Sequence, residues 1–202
     1  MFDTATVLYR EEPKCDVASR SDDAILARIV VTFHRCFYHS ERTELIFGAG
    51  EPYYAPAESS ADMHRIFSRD NYVASALHEV AHWCVAGAAR RLLPDFGYWY
   101  AADGRNREQQ RQFERVEVRP QAIEWAFSRA AGLRFRVSID NLNGDATDPF
   151  GFQLAVWQQA CIYHAQGLPP RAARFEQALR DEFAAPVSAP HFVDICTPVV
   201  IA

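Results

Sequence analysis

The chain has 202 residues, of which 49% are hydrophobic and 13% aromatic, enough to bury a substantial core, and its length suits a single domain. A net charge of -5 with no run of Lys or Arg argues against a broad nucleic-acid footprint, and no apolar stretch approaches the roughly 18 to 20 residues that cross a bilayer. The five cysteines, Cys15, Cys36, Cys84, Cys161 and Cys196, are odd in number, widely spaced and lack a C-x-x-C pair, which argues against a disulfide framework and a cysteine-type zinc site.

Met1 to Lys14 carry acidic residues and no apolar core followed by a small-residue cleavage site, so this stretch does not read as a secretory signal and a cytoplasmic protein is expected. Residues 1–20 are expected to be poorly structured, residues 21–184 to form the domain and residues 185–202 to make an irregular tail. From Asp22 to Tyr38, Ile25, Leu26, Ile29, Val30, Phe33 and Phe37 recur at helical spacing, with Ser21 or Asp22 available as the cap. Between Thr43 and Phe67, Gly48, Gly50, Pro52 and Pro56 separate the β-prone runs Leu45 to Phe47, Tyr53 to Tyr54 and His64 to Phe67, which predicts a small sheet.

Helical periodicity returns from Asn71 to about Leu93, with Ser68 or Asp70 as possible caps and Pro94 just beyond. The aromatic run Phe96 to Tyr100 precedes a polar connection and then a helix from about Arg107 to Ala131, which Pro120 is expected to kink or divide. Ser138 to Asp148 reads as a loop, and Phe152 to His164 and Arg171 to Phe183 read as two further helices around Gly167, Pro169 and Pro170. The expected class is therefore α+β, a mostly helical single domain with a small sheet.

The run His78, Glu79, Val80, Ala81, His82 is an H-E-x-x-H motif, and residues four apart lie one above the other on a helix, so both imidazoles can reach one metal. With seven histidines in the chain, chance would produce this pattern on the order of 0.02 times in such a sequence. Val73, Leu77, Val80, Ala81, Cys84 and Val85 make the host helix apolar, where two unpartnered histidines and a glutamate would be costly to bury. The plainer alternative is a pair of core histidines satisfied by hydrogen bonds.

A metal usually takes a third protein ligand, often a carboxylate. Phe113 to Ser128 offers Glu114, Glu117 and Glu124; on a helical wheel Glu117 and Glu124 stand beside the apolar face of Phe113, Val116, Ile123 and Phe127, with Glu114 further round. Glu117 is the first choice, with Gln121 one turn on as an amide that can orient it, and Glu114 the next. For Glu114 and Glu124 a solvated helix face is the more ordinary reading.

The run Ser75 to Cys84, continuing through Ala86, Gly87, Ala89, Arg90 and Arg91, resembles the metal-binding segment of the bacterial elongation factor P hydroxylases. Asp95 to Tyr100, Asp103 to Arg105, Gln112 to Glu114, Val116 to Val118, Pro120 to Ala122 and Asp140 to Leu142 resemble that family's other blocks in the same order, from about Ile46 to Phe183. The resemblance implies a non-haem hydroxylation of the β-lysylated lysine of elongation factor P, with that factor as protein substrate. It implies His78, His82 and Glu117 as a 2-His-1-carboxylate set, which leaves positions for oxygen on Fe(II), and Glu79 as a group that orients the metal-bound species or moves protons. No role follows for His64.

Such chemistry needs a redox metal and dioxygen, since no side chain activates oxygen for insertion into carbon; nothing in the sequence indicates 2-oxoglutarate. Phe96, Tyr98, Trp99 and Tyr100 are candidates to wall the pocket, or are ordinary core, and Asp95, Asp103, Glu114 or Asp140 are candidates to receive ammonium groups. The rival readings are a metallopeptidase-like zinc hydrolase with Glu79 as general base, and a binding module with a structural metal, which lacks an evident fourth ligand.

Overall fold

The computed structural model describes residues 17–97, 104–139 and 148–195. The readings made of residues 1–16, of Tyr98, Trp99, Tyr100, Asp103 and Asp140, and of residues 196–202 lie outside the described residues. Helix α1 (Val17–Phe37) begins a turn ahead of the expected cap. Leu26, Ile29, Phe33 and Phe37 recur every three or four residues, so α1 carries one apolar stripe, and that stripe is buried.

Three short strands follow, β1 (Thr43–Ala49), β2 (Tyr53–Ala55) and β3 (His64–Arg69). β3 is central, parallel to β1 and antiparallel to β2. The β1 register shifts between Ile46 and Ala49, where Gly48 takes φ +90°, a conformation that costs residues with a side chain. Leu45, Tyr54 and Ile66 turn inward to the main core, where β1 meets α1 and β3 meets α2, and His34 of α1 accepts a hydrogen bond on Nε2 from the Leu45 N–H at 3.0 Å.

Helix α2 runs Val73–Val85, so both expected ends are corrected. Neither Ser68 nor Asp70 caps it; Tyr72 holds the N-cap position without a side-chain bond, and Ser75 Oγ accepts from the Arg69 N–H at 3.0 Å. The C-terminus comes well before Leu93 because Ala86 turns extended and Arg171 engages the carbonyls of Trp83 (3.0 Å) and Cys84 (3.2 Å). Arg90–Leu92 then forms a short 3-10 turn, and Pro94–Gly97 a tight turn through left-handed backbone at Asp95 and Phe96.

Helix α3 (Arg107–Ala130) starts on a capping box, in which Asn106 accepts from the backbone N–H groups of Glu108 and Gln109 and the Gln109 side chain accepts from the Asn106 N–H. Pro120 does not divide it. The missing N–H leaves the Val116 carbonyl without its helical donor, but Val116 lies on the solvent side at 36% exposure, where water can take that donor's place. Beyond Pro120, Ile123, Phe127 and Ala130 pack into the main core, while Ala122 and Trp125 pack into a second cluster with Phe135, Phe152, Val156 and Ala160. Burial on both sides outweighs the roughly 3 kcal/mol that an interior proline costs.

Helices α4 (Phe150–Gln166) and α5 (Pro170–Phe183) complete the fold, with a 3-10 turn at Phe192–Asp194 in the tail. α4 covers α3 from one side, and α5 closes the main core through Ala172, Phe175 and Leu179. At the centre, Trp83 meets Phe37 at 4.9 Å and Phe33 at 5.5 Å between ring centroids, and Phe175 meets Phe127 at 5.0 Å. The architecture is mostly helical with one three-stranded sheet, the α+β arrangement expected, and α2 packs against α3. Among the described residues no helix is long and apolar enough to cross a membrane, and Cys36, Cys84 and Cys161 are free thiols.

Candidate metal centre

The middle of α2 turns Leu77, Val80, Ala81 and Cys84 into the core, and the same rotation aims His78 and His82 at the flank of α3. Their Nε2 atoms lie 3.0 Å apart, with the rings at 75° to one another. Glu117 faces both, Oε2 at 3.4 Å from His78 Nε2 and Oε1 at 3.2 Å from His82 Nε2. Among the described residues these three form a group whose ligand atoms converge closely enough to hold one metal ion. The geometry brings Glu117 to the imidazoles, while Glu114 lies outside the group and accepts from Gln110 Nε2 at 3.1 Å.

The polar arithmetic of this cluster asks for a cation. Glu117 is 1% exposed, and neither carboxylate oxygen receives a hydrogen bond, an arrangement that buried carboxylates avoid unless a positive charge compensates them. Ligand atoms about 2.1 Å from one ion at 90 to 110° to each other stand about 3.0 to 3.4 Å apart; the two Nε2 atoms stand 3.0 Å apart, and each has one Glu117 oxygen in that range, Oε1 at 3.2 Å from His82 and Oε2 at 3.4 Å from His78. The donor set, two imidazoles and a carboxylate, suits a divalent transition metal, and His78 keeps 21% of its side chain exposed, leaving the site open on one side.

Charges within the cluster act on one another strongly. Burial would raise the Glu117 carboxyl, but the charges of His82 above all, then of His78, hold it down at about 2. Burial would lower the His78 imidazole, yet the hydrogen bond to Glu124 and the charges of Glu117, Glu124 and Glu79 push it up to about 10. Gln121 ties α3 to the following segment, donating Nε2 to the Ser138 carbonyl at 2.7 Å and accepting from the Ser138 N–H at 3.1 Å.

Glu124 overturns its ordinary reading as a solvated side chain. It is 6% exposed, and its Oε2 lies 2.8 Å from His78 Nδ1. The available signal was its seven-residue spacing from Glu117, two turns along one helix face. Glu79 is half-buried beside the imidazoles, and its carboxylate has no hydrogen-bond partner among the described residues. Burial pushes that carboxyl up, His78 and His82 pull it down, and Glu117 and Asp95 push it up again.

Asp95 and Phe96 take left-handed φ of 46° and 58°, a costly turn for two non-glycine residues. It is pinned where Asp95 Oδ1 accepts the Tyr54 N–H at 2.8 Å and where Phe96 stacks on Tyr54 at 4.3 Å. Phe96 is thus core rather than pocket wall. His64 serves the fold as well, its Nδ1 accepting from the Ala57 N–H at 3.0 Å.

A family model of elongation factor P hydroxylases matches residues 32–192, from within α1 to the 3-10 turn of the tail. The chain is 48% identical over 154 residues to the elongation factor P lysine hydroxylase of Haemophilus influenzae, covering 76% of this chain and 86% of that relative. Neither match supports the zinc-hydrolase alternative or a non-catalytic binding module. Both span the whole of α2 and α3 and so include every residue of the cluster, and the chain belongs to the elongation factor P hydroxylase family of enzymes.

Proposed function

We propose that this enzyme adds one oxygen atom to the lysine of elongation factor P after that lysine carries its β-lysyl group, at an Fe(II) ion held by His78, His82 and Glu117. The observation that carries this reading is the buried Glu117 carboxylate, unbonded on both oxygens and facing two imidazole nitrogens. A bound Fe(II) would supply the activation of dioxygen that side chains lack. Glu117, buried between α2 and α3, would neutralise part of the metal's charge. The open flank at His78 admits the substrate side chain, and Glu79, free of other bonds, holds or moves a proton at its carboxylate. The Asp95 carboxylate, which accepts the Tyr54 N–H on Oδ1 and interacts through its charge with His82 and Glu79, can receive an ammonium group of a long lysine derivative. The protein works in the cytoplasm on this reading, where the translation machinery supplies its substrate.

The test is mass spectrometry of β-lysylated elongation factor P incubated with enzyme purified without oxygen and loaded with Fe(II). The expected product carries one added oxygen on the modified lysine, and formation under 18O2 gives the heavier label. Unlabelled product under 18O2 would place the oxygen's origin in water and sink the oxygenase reading.

A further inference from the structure

We propose that Glu124 is a positioning residue that fixes which nitrogen of His78 faces the metal. The inference rests on the metal reading above. Glu117 and Glu124 are two turns apart on α3, about 10 Å along the helix axis, and the His78 ring spans the gap between their carboxylates. Its Nδ1 lies 2.8 Å from Glu124 Oε2, and its Nε2 lies 3.4 Å from Glu117 Oε2 and 3.0 Å from His82 Nε2. A carboxylate can only accept, so in the neutral ring that a metal ligand must be, the contact at Nδ1 keeps the proton there and turns the Nε2 lone pair toward His82 and Glu117.

This contact is the one hydrogen bond Glu124 makes among the described residues, and the residue is 6% exposed. A buried carboxylate held by a single imidazole acts on that imidazole: it locks the ring's rotation and makes it a more basic donor. His82 has no such partner, since its Nδ1 makes no hydrogen bond among the described residues. The two ligands are therefore inequivalent, with His78 the stronger and more rigidly held donor. One stiff helix carries both the ligand Glu117 and the residue that orients the other ligand, which sets their relative placement by the helix repeat alone.

The test uses Co(II) binding to the full chain, followed by its visible absorption, for the wild type, Glu124→Gln and Glu124→Ala. Glu124→Ala should weaken Co(II) binding by about 10 to 100-fold. Glu124→Gln should lose less, because an amide oxygen still accepts the Nδ1–H bond while lacking the charge. In the Zn(II)-loaded wild type, 15N NMR should show His78 protonated on Nδ1 and slow to exchange, and that slow proton should vanish in Glu124→Ala. If the alanine variant does not fold, the near-isosteric glutamine variant carries the comparison. Wild-type affinity in both variants, or a His78 that carries no proton on Nδ1 in the Zn(II)-loaded wild type, overturns the assignment. A wild type that takes up no Co(II) instead overturns the metal reading, and the Glu124 assignment falls with it.

Discussion

Arg171 reaches from α5 to the last turn of α2, its guanidinium 4.7 Å from the centroid of the Trp83 indole and its Nη2 3.0 Å from the Trp83 carbonyl oxygen. One cation thus covers the aromatic hub of the core and neutralises the negative end of the helix that carries His78 and His82. Charged hydrogen bonds of this kind contribute about 1.5 to 3 kcal/mol each when nothing replaces them. Arg171→Ala should cost about 2 to 3 kcal/mol, seen as a fall of roughly 5 to 10 °C in melting temperature for a chain of this size. Lys at this position should recover under half of the loss, because a point charge cannot span several carbonyls and stack as well. A melting temperature for Arg171→Ala within a degree of wild type would rule out this cap.

Replacing His78 or His82 by Ala, or Glu117 by Gln, should abolish hydroxylation and leave the helical circular dichroism intact. A site with an open position contributes less to folding than a closed structural one, and the surrounding core of Leu77, Val80, Ile123 and Phe127 does not depend on the ligands. Chelation of the wild type should mimic the variants, with activity lost, the spectrum unchanged and activity restored by Fe(II). Unfolding on chelation would instead assign the metal to the structure of the protein.

The two histidines were readable because H-E-x-x-H on any helix stacks its imidazoles, whatever the rest of the fold does. Glu117 was nameable from the helical wheel and the Val116 to Val118 block, but its distance to the imidazoles is set by how α2 lies on α3, which no local pattern encodes. Glu124 was misread for a related reason. A wheel marks one apolar face, whereas α3 is covered from two sides beyond Pro120, by the main core and by the cluster beneath α4. The same double burial keeps Pro120 inside a continuous helix. The early end of α2 depends on Arg171, 88 residues beyond Trp83 in the chain, and tertiary caps at that separation leave no trace in local periodicity. The three strands were visible because Gly and Pro separate their β-prone runs.

Glu79 separates the chemistry of this site from that of a hydrolase using the same motif. As a general base for a metal-bound water it would be indispensable; as a group that orients or moves protons beside the metal, its loss should be partial. Glu79→Gln should keep the metal and retain hydroxylation at about one tenth to one hundredth of the wild-type rate, against none for Glu117→Gln. The measurement is product formation per bound iron for each variant. An inactive Glu79→Gln alongside an active Glu117→Gln would reverse the two roles.

The sheet should loosen on mild acidification through two histidines outside the metal centre. His34 Nε2 accepts the Leu45 N–H, joining α1 to β1, and His64 Nδ1 accepts the Ala57 N–H at the start of the β2 to β3 connection, each at 3.0 Å. Both bonds need a nitrogen lone pair, so protonation breaks them. Burial pushes both imidazoles below 6.5; Glu44 opposes this at His34, while Arg91 and Arg42 reinforce it at His64 against Glu41. For a histidine whose pKa is lower folded than unfolded, stability is fully present above about pH 6.5 and is lost as pH falls from there toward the folded value. His78 acts in the opposite sense in the metal-free protein, its contribution being full below pH 6.5 and lost as pH rises toward about 10, so the raw pH profile mixes the two effects. The double variant His34→Gln, His64→Asn removes the mixture, since each amide oxygen can take the place of the accepting nitrogen without titrating. Urea midpoints at pH 7.5 and 5.5 should show wild type losing more stability on acidification than the double variant, with His78 cancelling in the difference. Equal losses in the two proteins would show that neither imidazole titrates against the fold.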